Sequence, residues 1–318
     1  MEDARVTYPR PVPAPLLIAH RGACGYRPEL TRSAFLLGLE QGAQAIEVDV
    51  VASADGELVV RHDPELGRTT DVAEHPELRD RRRTKVVRGR PRTGWFAEDL
   101  SLAELRSLTA RERLPRLRPG SAAHDRSEAV LTLREVVDLV ARAEGVRLIV
   151  ELKHAARSAR LGLPLDELLE ATLRSAARLP EISVESFEHD VLDRLAARRL
   201  PHPLVALIGH WPLLDHATVQ RPEAFAAYAG VSLGASLVGR RTVAGFRDAG
   251  LDVWTWTLRP ENRFLPLRYR APGSRFGRYA AYWRRLLEAG VTGVFADHPD
   301  LALAAFGGPA DVGAPAYP

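Results

Sequence analysis

Two stretches of this chain set acids and bases at strand spacing. In "AIEVDV" (45–50), Glu47 and Asp49 stand two residues apart, and in "VRLIVELK" (146–153) so do Glu151 and Lys153. Side chains alternate across a strand, so each pair shares one face, with Ile46, Val48 and Val50, or Leu148, Val150 and Leu152, on the other. "PLLIAH" (15–20) ends on His20 with Arg21 behind it, and "ELVVRHD" (57–63) carries His62 on the face of Leu58 and Val60. Three carboxylates turned into a protein interior each cost several kcal/mol if left unpaired, so positive charge must answer them. Oxygen donors without cysteine suit one hard divalent cation, Mg²⁺ or Ca²⁺, held by Glu47, Asp49 and Glu151. A network of the same acids with Lys153 and Arg21, needing no metal, is the alternative. A cation, an arginine and a lysine together cradle a phosphate-like centre. Two histidines can take and give the protons that displacing an alkoxide from phosphorus requires. The residues thus point to metal-assisted phosphodiester cleavage.

The elements that must position these groups alternate between short apolar runs and amphipathic stretches. Strand candidates are 15–20, 45–50, 57–63, 146–153, 182–187, 203–209, 251–258 and 292–297, with helices such as "TLREVVDLVARAEG" and "GRYAAYWRRLLEAG" between them. Eight such units predict an α/β fold, a (β/α)8 TIM barrel, whose functional groups gather where loops leave the C-terminal ends of the strands. His20, Arg21, Glu47, Asp49, His62, Glu151 and Lys153 would meet on that rim from four consecutive strands. A doubly wound open sheet is the other architecture, but no glycine-rich dinucleotide or Walker pattern follows the first strand. "GVSLGASLV" (230–238) is broken by glycine and reads as loop. Residues 64–130 are too long for a plain connection and read as a small inserted subdomain after the third strand. The barrel is expected over 16–305, with flexible Pro/Gly/Ala-rich tails at 1–14 and 307–318.

Charge and composition narrow the classes further. The chain carries a net +3 over 318 residues, yet "RDRRRTKVVRGRPR" (79–92) alone carries +7, which leaves the rest at −4. No aromatic residues interleave that basic run, so no nucleic-acid partner is expected and a solvated surface is the plainer reading. Lysine occurs only at Lys85 and Lys153, which makes a lysine inside a strand notable. The single cysteine, Cys24, excludes an internal disulfide. No apolar run is long enough to span a bilayer and none forms a signal-peptide core, so the expectation is a cytoplasmic protein without a transmembrane segment.

With these residues in view, the sequence resembles the glycerophosphodiester phosphodiesterases. The likeness rests on "AHRGACGYRPELTRSAF", "GAQAIEVDVVASADGELVVRHDPEL", "VELK", "VESF", "VWTWTL" and "GVTGVFADHPDLAL". It extends over residues 16–305, and the insertion is similar to that of longer bacterial members. The resemblance implies a barrel that hydrolyses small-molecule glycerophosphodiesters to glycerol 3-phosphate and an alcohol. By position it implies Glu47, Asp49 and Glu151 as metal ligands and His20 and His62 as the acid–base pair. Arg21 and Lys153 match phosphate-contacting positions, and Phe187 and Trp256 match aromatic positions lining the pocket. Asp297 ends the last strand on the same rim, with no role assigned. Where the family usually reads Pro-Glu-Asn-Thr, this chain has Pro-Glu-Leu-Thr with Leu30, and Cys24 stands where a small residue such as serine is common. Related barrels of the sphingomyelinase D or phosphatidylinositol phospholipase type, which form a cyclic phosphate, are an alternative. A non-catalytic phosphodiester-binding protein on the same barrel is another. Oligomeric state is not legible.

Overall fold

The apolar faces read from the sequence find a common partner layer. The computed structural model describes residues 14–209 and 217–307. In chain order its strands are β1 (Leu16–His20), β2 (Ala45–Ala52), β3 (Leu58–Val60), β4 (Arg83–Val87), β5 (Arg90–Gly94), β6 (Arg147–Leu152), β7 (Glu181–Ser186), β8 (Leu204–Ile208), β9 (Gly230–Gly234), β10 (Asp252–Leu258) and β11 (Gly293–Ala296). Eight of them, β1, β2 and β6 to β11, pair in parallel, and β11 returns to β1 to close a barrel ringed by helices. Ile46, Val48, Val50, Leu148 and Val150 face outward into the core shared with the helices. Ile18, Ala45, Ile149, Val205, Trp254 and Phe295 face inward and fill the barrel floor. The polar residues on the same inward parity sit above that floor, near the strand C-termini.

The eight barrel strands are not quite the eight expected. The segment 57–63 yields only the three-residue β3, which runs antiparallel to β2 with Val50 opposite Val60. Its approach explains why. Only Ser53–Glu57 separates β2 from β3, a tight reversal in which Gly56 takes φ 81° and the Ser53 backbone N–H donates to the Glu57 carbonyl. A parallel neighbour requires a crossover of a dozen residues or more, so this connection can make only a hairpin. The Asp55-Gly56 pair carried that signal in the sequence.

The missing barrel strand is β9, which lies in the segment read as loop. All five of its residues are buried, and it pairs with both β8 and β10. Its glycines do not break the strand. At Gly230 a Cβ would lie 2.9 Å from the Asp252 carbonyl oxygen, closer than side-chain carbons come, whereas Gly234 has ordinary room beside Trp256. The insertion therefore follows the second barrel strand and its hairpin, not a third barrel strand.

Between His62 and Thr132 the chain packs round its own apolar cluster, in which Leu66, Val72, Leu78, Leu100, Leu105 and Leu108 rest on Val51 and Val59 of the hairpin. Short elements make up this part: the β4–β5 hairpin, the helix Leu102–Arg106 closed by a Ser101–Glu104 capping box, and the turn of helix Pro119–Ala122. Buried arginines tie it to the barrel rim. Arg118 Nε donates to Glu261 at 2.7 Å and its Nη2 to Asp297 at 2.5 Å, and both carboxylates are at most 1 % exposed. Arg113 pairs with Glu29 at 2.6 Å and with Asp63 at 2.5 Å. Among the described residues no helix is long and apolar enough to cross a membrane. The expected tails fall almost wholly outside the described residues.

Removing one partner of a buried pair strands the other charge, so Arg118→Ala is expected to destabilise the protein by about 3–5 kcal/mol. A lower urea midpoint measures this, and adding Glu261→Gln to Arg118→Ala is expected to recover part of the loss.

Candidate active site

Each functional side chain reaches the barrel mouth for a local reason. β1 ends at His20, and the chain then turns through two left-handed residues, Arg21 at φ 58° and Gly22 at φ 79°. A Cβ on Gly22 would meet the Ala34 carbonyl carbon at 2.5 Å, so only glycine lets the turn press on the following helix, Arg32–Glu40. The turn holds the Arg21 backbone N–H against Glu47 Oε2 at 2.9 Å and its Nε against Asp49 at 2.8 Å. Leu30, at the departure from the family's usual asparagine, also adopts φ 59°. Asparagine tolerates that region better than leucine does. Leu30 offsets the strain by burying its side chain completely in the main core. Its backbone N–H still donates to the Arg21 carbonyl at 3.1 Å, so the loop closes without a polar side chain there.

The hairpin brings His62 to the same mouth from outside the barrel ring. Arg61, fully buried, donates to the backbone carbonyls of Val60, Thr69 and Glu29 and so joins this loop to the first one. Of the nine residues singled out in the sequence, eight line one cavity of about 660 Å³: His20, Arg21, Glu47, His62, Glu151, Lys153, Phe187 and Trp256. Asp49 lies behind them, wholly buried, between Arg21 and Lys153, the latter at 3.0 Å. Lys153 also reaches Glu151 at 2.6 Å and lies over the Phe187 ring. Phe187 meets Trp256 edge-on at 5.3 Å between centroids.

Electrostatics separates the acids into two kinds. Burial opposes the charge on Asp49, but Arg21 and Lys153 outweigh it and hold that carboxyl well below the usual range. Glu47 is pushed well up by burial and by Asp49, and Glu151 is pushed up to about 7 by burial, against the pull of Lys153. Glu185 joins them. It too is pushed well up, by burial and then by Glu151 and Glu47. Two like charges 4 Å apart repel by about 4 kcal/mol at an effective dielectric of ~20, so these glutamates cannot all ionise unaided. Carboxylate oxygens of Glu47, Glu151 and Glu185 lie within 4.8 Å of one another. Glu151 Oε1 and Glu185 Oε2 are buried and accept no hydrogen bond. Four acids against Arg21 and Lys153 leave a formal excess of two negative charges, and the donors are all oxygen. That fits a hard divalent cation.

The two histidines are built alike. His20 Nδ1 sits 2.7 Å from Asp297 Oδ1, and His62 Nδ1 sits 2.8 Å from Asp63 Oδ1. Arg259 and Arg118 hold Asp297 far below its usual range against burial, and His62 and Arg113 do the same for Asp63. An ionised carboxylate only accepts, so each Nδ1 carries the hydrogen and each Nε2 keeps a free lone pair. Burial, reinforced by Arg21, lowers His20 to about 4; burial with Arg21 and Lys153 lowers His62 to about 3. Cys24 is buried and its thiol is pushed well up by burial, so it stays protonated, in keeping with the role of a small packed residue.

Sequence reading passed over several groups in this mouth. Glu185 shares a strand face with Ser183 and Phe187 in "ISVESF", and a charge inside an apolar strand is the same signal that marked Glu151. Asp297 was visible only as a rim residue; its contact with His20 spans 277 positions. Arg113 and Arg259 come from long loops, where spacing carries no information about direction.

Fold and site together define a barrel phosphodiesterase. The family model of the glycerophosphoryl diester phosphodiesterase family matches residues 20–301, and the chain belongs to that family, as an enzyme of the glycerophosphodiester phosphodiesterase class. It is 46% identical to the glycerophosphodiester phosphodiesterase GDPD6 of Arabidopsis thaliana over 101 residues, 32% of this chain and 27% of that relative. A crystal structure of a family protein from Silicibacter pomeroyi DSS-3 is 26% identical and superposes with a TM-score of 0.70 over 91% of this chain and 92% of that one. An Oleispira antarctica phosphodiesterase, solved with the product sn-glycerol-3-phosphate, is 21% identical and shares the fold, with a TM-score of 0.65 over 92% and 97% of the two chains.

Because burial lowers both imidazoles, His20 and His62 are expected to stay neutral across the neutral range, with no NMR titration between about pH 8 and pH 5.5. A group whose folded pKa is depressed contributes stability above its unfolded value of 6.5, lost as pH falls through the folded value. The two histidines should therefore add to acid unfolding between about pH 6.5 and pH 3, and His62→Gln should flatten that limb in a thermal scan against pH.

Proposed function

We propose that this chain hydrolyses glycerophosphodiesters to sn-glycerol 3-phosphate and an alcohol, using one divalent cation, with His20 and His62 moving the protons. The observation that carries this reading is a single cavity lined by two carboxylate-backed imidazoles, two phosphate-compatible cations and buried carboxylate oxygens without hydrogen bonds. Its volume of about 660 Å³ suits a small molecule. Arg21 and Lys153 would hold the non-bridging phosphate oxygens, Arg21 through its guanidinium and Lys153 as a point charge. Phe187 and Trp256 would flank the rest of the substrate.

Glu47 and Glu151 would hold Mg²⁺ or Ca²⁺, with the shell completed by Asp49, as the family resemblance implies, or by Glu185, which lies in the same cluster. When bound, the cation supplies Lewis-acid polarisation of the phosphoryl oxygens. The residues of the chain do the rest. One neutral imidazole takes a proton at Nε2 from the attacking water, whose oxygen bonds to phosphorus, while the other, charged, gives its Nε2 proton to the departing alkoxide. The phosphorus–oxygen bond to the alcohol breaks and the glycerol side keeps the phosphate. The negative charge of the bound diester favours the imidazolium that the second role needs, countering the burial that keeps it neutral at rest. Asp297 and Asp63 fix the tautomers and stabilise that charge.

His20→Ala and His62→Ala are each expected to lower kcat for glycerophosphocholine by about 10²–10⁴-fold. A p-nitrophenyl diester, whose leaving group needs no acid, should restore turnover in only one of them and so identify the general acid. Undiminished activity in both variants would reject the acid–base assignment.

A cation at the cluster should also register without turnover. Glu151 has a raised folded pKa, so its neutral form favours folding below about 4.5 and that contribution fades as pH rises through about 7. The cation removes the penalty on the charged form. Ca²⁺ or Mg²⁺ should therefore raise Tm more at about pH 8 than at about pH 5, and Glu151→Gln should abolish most of that difference. Equal shifts at both pH values, or an unchanged shift in Glu151→Gln, would remove the cation from this site.

A further inference from the structure

The arginine-rich hairpin has no part in the reaction just described, yet it forms one wall of a second cavity. β4 and β5 meet in a two-residue turn, Arg88–Gly89, with φ 51° and 72°. Hairpins of this kind take asparagine, aspartate or glycine at both positions, and a left-handed arginine at the first is the strained choice. The strained residue opens onto a concavity of about 490 Å³, whose lining includes Arg68, Arg88, Arg90, Arg92 and Arg113. His62 and Arg113 also line the active-site cavity, so the two spaces adjoin.

Little negative charge is left there to answer these guanidinium groups. Two carboxylates, Asp63 and Glu65, line the cavity against five arginines. Asp63 pairs with Arg113, while Glu65 turns one oxygen to the backbone N–H groups of Gly67 and Trp95 and pairs with none of the five. Among the described residues Arg68, Arg88, Arg90 and Arg92 make no ion pair, whereas Arg81, Arg106, Arg111 and Arg126 of the same insertion all do. Arg88 and Lys153 even help lower the His154 imidazole, a further lining group that burial has already pushed down to about 4. Several like charges kept together without partners mark a place for an anion.

We infer that this cavity is a second anion subsite, which receives a phosphate carried by the alcohol half of the substrate. Resting on the reading above, this makes glycerophosphodiesters whose alcohol bears a further phosphate the preferred substrate class. Planar guanidinium forks suit a phosphate monoester, and two or three can converge on one. A single-stranded nucleic acid would want aromatic platforms for its bases, and no Phe, Tyr or Trp lines the cavity. A membrane surface would want an apolar anchor, and the hairpin offers only Val86, 65% exposed. A concave site sharing walls with the chemistry favours the small molecule.

The test compares a matched pair, glycerophosphoinositol and glycerophosphoinositol 4-phosphate, in the intact protein and in the variant Arg88→Asn, Arg90→Gln, Arg92→Gln, which keeps the turn chemistry. KM for the phosphorylated substrate should be lower by about tenfold, the order of one charge-assisted hydrogen bond, with the advantage shrinking as salt rises. The variant should lose that advantage and leave kcat and KM for glycerophosphoinositol within about twofold. Equal KM for the pair in the intact protein, or a variant that weakens both alike, overturns the subsite. If neither compound is turned over, the reading of the reaction fails while the subsite is judged separately. Calorimetry then asks whether inositol 1,4-bisphosphate binds at least about tenfold tighter than inositol 1-phosphate, with the variant erasing the difference. Co-sedimentation with phosphatidylglycerol vesicles that the variant abolishes, together with equal KM for the pair, would assign the hairpin to a membrane instead.

Discussion

An excess of negative charge in the barrel mouth organises everything around it. Glu47, Asp49, Glu151 and Glu185 project from three neighbouring strands and are all buried, and among the described residues only Arg21 and Lys153 pair with any of them. Asp49 keeps its charge because both cations touch it, whereas burial, and then the neighbouring carboxylates, drive the glutamates toward the neutral form. Such a site is poised to take up positive charge, and it costs the fold something until it does. The strained backbone beside it belongs to the same arrangement. In its left-handed conformation Arg21 reaches Glu47 with its backbone N–H and Asp49 with its guanidinium at once.

The insertion completes the mouth from above. A barrel alone would offer His20 on its rim with one flank open. Here Arg118 crosses from the insertion to Asp297, the residue that orients His20, and Arg113 crosses to Asp63, the residue that orients His62. Each imidazole is therefore backed by a carboxylate, and each carboxylate is held ionised by an arginine of the insertion. The two supports share a design although Asp63 is the chain neighbour of His62 and Asp297 lies 277 positions from His20. Both leave Nε2 without a carboxylate partner among the described residues.

Much of this was legible in the sequence. Parity within "AIEVDV" and "LIVELK" placed Glu47, Asp49, Glu151 and Lys153 on one side because period two is a property of the strand itself. The same rule applied to "ISVESF" would have found Glu185. β3 and β9 were misjudged for opposite reasons. Alternation made 57–63 look like a barrel strand although the Asp-Gly turn before it allowed only a hairpin. Glycines made 230–238 look like a loop, although at Gly230 the missing side chain is what lets the strand lie close against the Asp252 backbone.

Strand faces, the acids and bases they carry, and the barrel class can be read from the residues in order, since each follows from local periodicity and from the cost of burying charge. Which acid Arg21 and Lys153 neutralise, and that Asp297 and Asp63 back the two histidines, emerges once the chain is folded. Folding also sets the arginine hairpin beside the active site. Those facts depend on barrel closure and on how the insertion folds over the rim, which bring together residues as far as 277 positions apart. Local pattern does not encode contacts of that range, because loops fix neither direction nor distance until the whole ring has closed.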